Sequence, residues 1–373
     1  MTKHKKHISS FRAYPEDEDT AGKLEIFNSV KSKKSCSFAD IFGSCAMDEK
    51  TVKDYINGCI EKRFLKSEKK DLTGTIEFIS GTDKFLGISL SKKKCFLSVI
   101  DITGAVFEEE ILDIGYVPGT KMKRREMGSL LEEIKSKSKI SRSGFSSSGI
   151  AIPLGFNRDN DKNSVIFAEE ISRIFDCNIF LANEATAAGY CEGERVLIEK
   201  FLYLYLDIGI GSVFKNDVIF EAAEIDFGKE RRYLRPWEQF SVVKAAKELI
   251  GKGLGTTIVK AVSGVIDDIT LEIILNAADE GDELAEDLVK RASYALGVRA
   301  AYLVNMFDVD VIVLGGGIEG EKGNFRKLIE ESVRKFIMSK KTDKLEFFSG
   351  EMGKQAPSRG AALLCRRELF MEV

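Results

Sequence analysis

Phe201-Leu202-Tyr203-Leu204-Tyr205-Leu206-Asp207, followed by Ile208-Gly209-Ile210-Gly211, decides the fold of this chain. A continuous apolar and aromatic run that ends in glycines reads as a buried strand followed by a tight turn. Upstream, Asn178–Ala182 is another strand, leading through Asn183-Glu184 into the helical run Ala185-Thr186-Ala187-Ala188-Gly189. Val165–Phe175 has the spacing of an amphipathic helix, and Gly149-Ile150-Ala151-Ile152-Pro153 is a strand. Phe85–Leu90 and Cys95–Asp101 form a pair of strands. Downstream, Val309–Leu314 is a strand that closes on Gly315-Gly316-Gly317. Strands alternating with helices predict an α/β body. The polar run Lys121–Ser148 reads as a surface helix and loop, and no internal repeat of short period stands out.

With 373 residues, the chain is long enough for two or three domains of about 100–200 residues each. Its composition, 44% hydrophobic and 31% charged, is that of an ordinary globular protein. No apolar run reaches the length of a membrane helix, and the basic start Met1–His7 leads into polar sequence rather than an apolar signal core. A cytoplasmic protein without a membrane partner is therefore expected. The seven cysteines, at 36, 45, 59, 95, 177, 191 and 365, contain no Cys-x-x-Cys pair, which favours reduced thiols. The histidines are His4 and His7 alone. Beyond residue 7 no histidine-based triad and no histidine-ligated metal can be built.

The first 80 residues have a different texture. Residues 1–20 read as a disordered tail. Leu24, Ile26, Phe27 and Val30 have helical spacing, and Ser37 is placed to cap a short helix from Phe38. Asp48 opens a third helix with Val52, Tyr55, Ile56 and Cys59 on one face and Lys50 and Lys53 on the other. A charged turn, Ser67-Glu68-Lys69-Lys70-Asp71, then precedes the strand-like Thr75–Ile79. This is the order of a winged helix-turn-helix, predicted over 21–80, with Lys50, Thr51 and Lys53 as the DNA-contacting residues. Residues 1–71 hold 15 Lys/Arg against 12 Asp/Glu, a slightly basic head on an acidic body.

Gly87–Gly104 resembles, without a gap, the first nucleotide-binding strand pair of the ROK family (repressors, open reading frames and sugar kinases). Four more stretches match that family in order: Gly149–Pro153, Asn183–Gly189, Val311–Ile318 and Gly360-Ala361-Ala362. The resemblance spans about residues 76–365 and implies a two-lobed actin-like sugar-kinase fold. Lobe 1 is expected over 81–195 and lobe 2 over 196–373, with the C-terminal helix returning to lobe 1.

The departures from the family pattern carry the functional reading. Its first phosphate loop, Asp-x-Gly-Gly-Thr, is replaced by Ser89-Leu90-Ser91-Lys92-Lys93, which removes the carboxylate and the glycines that let N–H groups approach phosphate. The second, Gly-Thr-Gly-Ile-Gly, is Asp207-Ile208-Gly209-Ile210-Gly211. An Asp there at about 4 Å from a phosphate is repelled by about 4 kcal/mol per unit charge at an effective dielectric near 20. Ser89, Ile208, Gly209, Gly315 and Gly316 are thus vestiges of a nucleotide site, and ATP is not an expected cofactor. The family's catalytic Asp is Glu184 here, so no catalytic residue is expected.

The sugar side is better kept. By resemblance Asn183, Glu184, Glu224 and Glu238 form the ligand set, with Phe227 where the family has a zinc-binding histidine. The zinc cysteines are absent from Gly228–Pro236, so no zinc is expected. One amide and three carboxylates suit a neutral sugar better than a sugar phosphate. The resemblance implies a sugar-responsive transcriptional repressor, acting as a homodimer or higher oligomer on a DNA operator, with kinase activity lost. The alternative is a sugar kinase, of glucokinase or N-acetyl sugar kinase type, carrying an extra N-terminal domain. The purified protein should produce no sugar-dependent ADP; turnover at about 1 per second or faster, the low end of ordinary enzymes, contradicts this reading.

Overall fold

The computed structural model describes residues 8–12, 14–91, 93–115, 124–140, 145–152, 162–175, 177–196, 198, 200–206, 210–215, 218–221, 242–316, 324–338 and 344–373. They fall into two compact units, one of residues 1–191 with 355–373 and one of 192–354.

The first unit begins with β1 (Ile8–Ser10), which pairs in parallel with Ile179–Leu181. The Phe11 N–H donates to the Leu181 carbonyl at 3.1 Å, and the Phe11 side chain is buried. The disordered tail expected over 1–20 is therefore corrected for residues 8–12 and 18–20. A three-residue strand has no periodic signal, and its partner lies far away in sequence.

The head follows. In α1 (Glu18–Lys33) the Asp17 carboxylate caps the first turn, accepting from the Thr20 N–H at 2.7 Å. β2 (Cys36–Ser37) runs into α2 (Phe38–Phe42). There Ser37 and Asp40 form a reciprocal capping box: the Asp40 N–H donates to Ser37 Oγ at 3.2 Å and the Ser37 N–H to Asp40 Oδ2 at 3.0 Å. Asp48 caps α3 (Glu49–Glu61) by accepting from the N–H groups of Lys50 and Thr51. β3 (Leu65–Ser67) and β4 (Thr75–Phe78) complete an antiparallel sheet in the order β2-β4-β3. Leu24, Phe27, Val30, Ile41, Val52, Ile56, Leu65 and Ile76 are buried in this head.

Next, β5 (Lys84–Ser91), β6 (Lys94–Asp101) and β7 (Val106–Asp113) form an antiparallel meander. α4 (Arg124–Lys137), β8 (Phe145–Ile152), α5 (Lys162–Phe175) and β9 (Asn178–Asn183) supply parallel strands and their crossovers. The sheet order is β1-β9-β8-β5-β6-β7. β8 begins inside the run read as surface helix and loop, and its Ser148 is fully buried. Serines hid the first half of that strand, ahead of the Gly149–Ile152 stretch read as strand, because a small polar residue gives no apolar alternation. α6 (Glu184–Val196) ends in the second unit.

The second unit repeats the arrangement. β10 (Lys200–Tyr205), β11 (Ile210–Lys215) and β12 (Val218–Glu221) form the meander, and α7 (Val242–Gly251), α8 (Ile258–Ala261), α9 (Leu271–Asp279) and α10 (Glu283–Phe307) follow. β13 (Val311–Gly315), α11 (Phe325–Phe336) and β14 (Glu346–Ser349) add the parallel strands, giving the order β12-β11-β10-β13-β14. Leu202, Leu204, Ile312 and Leu314 of this sheet share a core with Leu296, Ala300, Phe325 and Ile329 of the helices. Two like sheets of this kind, behind a winged helix, make the α/β actin-like architecture.

The last helix, α12 (Ala356–Met371), belongs to the first unit. It lies against a trough made by Gly87 and Gly149, register partners on β5 and β8. A Cβ on Gly87 would stand 1.8 Å from the Ser358 carbonyl oxygen, and one on Gly149 1.9 Å from that of Ala361. Only glycine permits this approach.

Asp101 ties the turn after β6 to the chain leaving the head. Its buried carboxylate accepts from the Thr103 N–H (2.8 Å), the Ala105 N–H (3.0 Å), the Gly81 N–H (3.0 Å) and Ser80 Oγ (3.1 Å), and also from Thr103 Oγ1. Burial pushes its pKa up, but the hydrogen bonds from Thr103, Gly81, Ala105 and Ser80 outweigh that and hold it below the ordinary aspartate value. A depressed folded pKa stabilises the protein above the unfolded value, near pH 4, and that stability is lost as pH falls through the folded value. Asp101→Ala should destabilise the first unit by on the order of 3 kcal/mol. Its denaturation midpoint should also fall less steeply than the wild type's below about pH 4; urea titrations across that range check both.

Candidate functional site

Lys50, Thr51 and Lys53 all lie on the first turns of α3, but their situations differ. Thr51 is half-buried and donates its hydroxyl to the capping Asp48 at 2.5 Å, and together with its N–H it lowers the Asp48 pKa. Lys53 pairs with Glu49 at 2.6 Å, and its ammonium stands 5.2 Å from the Phe38 ring centroid. An exposed i,i+4 pair contributes only about 0.3–0.5 kcal/mol, so a phosphate can displace Glu49 easily. Lys50 is exposed, and its ammonium makes no ion pair among the described residues.

Two further cations escaped the sequence reading of the interface. Lys69 and Lys70 are exposed in the turn between β3 and β4. In a winged helix this turn is the wing, and the antiparallel pairing of Leu65–Ser67 with Ile76–Phe78 holds it out. The signal is a lysine pair inside a charged turn, but only the strand pairing turns that run into a wing. Lys66 at its base is neutralised by Glu77 across the strands at 2.8 Å.

The body residues divide between the units. Asn183 closes β9 and is buried, and its Oδ1 accepts from the Thr186 N–H at 2.7 Å. That bond caps α6, a structural role that the motif alone does not disclose. Glu184 is the first residue of α6 and half-buried. Ser89 is buried on β5, and its hydroxyl has no hydrogen-bond partner among the described residues. In the second unit Gly315 ends β13 and Gly316 follows with φ 71°. Side chains there would collide with Tyr203 and Tyr205, whose ring atoms lie within 3.0 Å of the Cβ positions. The two glycines are thus explained by packing against those tyrosines. Glu224, Phe227, Glu238, Ile208 and Gly209 lie outside the described residues.

Among the described residues no group of three or more His, Cys, Asp or Glu is placed to hold a metal ion. Burial pushes the thiols of Cys36 and Cys59 up to about 11 and about 12, so neither is a thiolate nucleophile at neutral pH. No helix among the described residues is long and apolar enough to cross a membrane.

Residues 253–368 match the model of the ROK family. The chain is 19% identical over 343 residues to the xylose repressor of Caldicellulosiruptor bescii, covering 84% of each protein. It is 27% identical over 100 residues to the glucokinase of Halalkalibacterium halodurans, 27% of this chain and 30% of that one. Among solved structures, a ROK family transcriptional regulator homologous to the E. coli MLC protein superposes with a TM-score of 0.68 at 16% identity, over 95% of this chain and 98% of that one. A ROK family glucokinase from Streptomyces griseus gives 0.58 at 18% identity, over 75% and 98%.

The cap at Asn183 separates structure from ligand binding. Asn183→Ala should destabilise the first unit by about 1 kcal/mol, whereas Asn183→Asp, which keeps an oxygen on the Thr186 N–H, should stay close to wild type. Chemical denaturation of the two variants reads the difference.

Proposed function

Starting from a chain that carries a ROK-family domain behind a winged helix, we propose that it is a sugar-responsive transcriptional regulator that binds operator DNA through α3 and the β3–β4 wing. The observation that carries the proposal is the complete head, with strand order β2-β4-β3 and α2 and α3 between the first strand and the wing. Helix-turn-helix modules present the start of the second of those helices to base edges and use flanking cations on phosphates. Lys50 on α3 and Lys69 and Lys70 on the wing are suited to that work. The alignment with a xylose repressor, which extends over most of both chains, supports the same reading.

A kinase with an added head is the second reading, favoured by the glucokinase match. That match covers about a quarter of this chain, and Ser89 stands where family kinases carry a phosphate-loop carboxylate. In the regulator reading a neutral sugar is held by Asn183, Glu184, Glu224 and Glu238, with Phe227 against an apolar face of the ring. Its binding biases a dimer between states of different DNA affinity. ATP and zinc play no part in it.

Lysine substitutions test the interface. Lys50→Ala should weaken binding to the DNA upstream of the protein's own gene more than Lys53→Ala, because Lys53 already has an intrahelical partner. The triple variant at Lys50, Lys69 and Lys70 should flatten the salt dependence by roughly 0.9 in log–log slope for each phosphate left unneutralised per protomer. Fluorescence anisotropy across a salt series measures this; an unchanged slope would move the interface elsewhere.

A further inference from the structure

The head does not close its own core. Phe370, on the last turn of α12, is fully buried among head aromatics. Its ring centroid lies 5.1 Å from that of Phe27 on α1, 5.6 Å from Tyr55 on α3, 5.8 Å from Phe78 on β4 and 6.3 Å from Phe64. Tyr55 donates its hydroxyl to the Phe370 carbonyl at 2.6 Å. Beyond it the Lys62 ammonium donates to the Glu372 carbonyl at 3.4 Å, and a Cβ on Gly58 would stand 3.2 Å from the Val373 side chain. The second half of α3, the helix assigned to DNA, therefore meets the last residues of the chain at Tyr55 and Gly58, and Lys62 just past its end does the same.

α12 is anchored in the body at its other end. Ser358 Oγ is 2.8 Å from Ser98 Oγ on β6, and Arg359 donates to the Glu109 carboxylate on β7. The glycine trough holds the helix backbone against the sheet between those contacts and Phe370. Midway toward the head, the Arg366 guanidinium lies 5.0 Å from the Phe27 ring centroid. Arg12, next to β1, joins in: its N–H donates to Glu368 at 3.0 Å, and its carbonyl accepts from Arg367 at 2.8 Å. A helix of this length is a rigid rod of about 24 Å at 1.5 Å per residue. It starts where the chain re-enters the first unit from the second.

We propose that the last turn of α12 is a built-in ligand of the winged helix, and that α12 carries movements of the body to the DNA-binding head. A helix pinned by backbone contact at one end and seated in an aromatic socket at the other moves as one piece. A shift at Arg359 is then felt at Tyr55 and α3, and a socket without its phenyl ring leaves α1 and α3 loosely packed. Phe370 is a positioning residue in this scheme, since it acts on DNA only through α3. The inference rests on the reading of the head as a DNA-binding module, and its test is chosen so that the two can fail separately.

Amide hydrogen exchange on the full chain provides that test, because it reads the head without DNA. In Phe370→Ala, amides of α1 and α3 should exchange about tenfold faster or more, with β5 and β8 unchanged. In Arg359→Gln, at the far end of α12, the same head amides should exchange about threefold faster. Unaltered head exchange in Phe370→Ala overturns the built-in ligand. An Arg359→Gln effect confined to β6, β7 and the start of α12 overturns the transmission. If Phe370→Ala loses protection in β5 and β8 as well, Phe370→Leu is read by the same criterion. Anisotropy with the DNA upstream of the gene runs in parallel: failure of the wild type to bind removes the DNA reading alone, while the exchange data still decide the coupling.

Discussion

The first unit depends on one steric fact, the absence of side chains at Gly87 and Gly149. Without Cβ atoms the backbone of α12 approaches β5 and β8 so closely that a single methyl group would overlap a carbonyl oxygen. Gly360 does the same in the other direction, since a Cβ on it would stand 1.7 Å from the Ala187 carbonyl oxygen on α6. Close-packed interiors accommodate added volume poorly, so these three positions fix the line along which the helix runs. Everything beyond that line follows from it, including the contacts of Ser358 and Arg359 with β6 and β7 and the arrival of Phe370 in the head.

The organisation of the head is a consequence. A head of some 60 residues buries a modest share of its surface by itself. Here it gains the last turn of α12 as part of its core, and beside it Arg12, just past β1, closes on Glu368. Glu368 is buried, and burial pushes its carboxyl pKa up against the opposing pull of Arg367 and Arg12. Arg12 and Glu368 thus meet at the base of the winged helix. An exposed linker between head and body would let the two move independently, and this arrangement works against that.

Asn183 stands where the resemblance to the ROK family places a sugar contact, yet its visible bond is a helix cap. Gly315 and Gly316 stand in another stretch of that resemblance, yet Tyr203 and Tyr205 pack onto their backbone. Neither position requires a ligand to explain its residue. Ser89 differs, since its buried hydroxyl on a central strand has no hydrogen-bond partner among the described residues. Ion pairs at i,i+4 such as Lys53–Glu49 contribute little to stability, so the fold of the head does not depend on them.

The sequence alone marked part of the elements, in their order along the chain. Apolar alternation and glycine punctuation marked β5, β6, β9, β10 and β13. Helical spacing marked α1, α3 and α5, and the Ser37 and Asp48 caps marked where α2 and α3 begin. These are local signals, set by side chains within a few residues of one another. Tertiary structure alone decided the rest. β1 is a strand only because β9 offers it an edge. β8 extends back through Phe145–Ser148 because neighbouring strands satisfy a backbone whose serines advertise a loop. The charged turn before Thr75 already suggested a wing, but the strand Leu65–Ser67 that pairs with β4 to hold it, and the aromatic socket of α1, α3 and β4 around Phe370, are set by the fold. Each of these depends on partners brought together by the fold, and no window of sequence contains them.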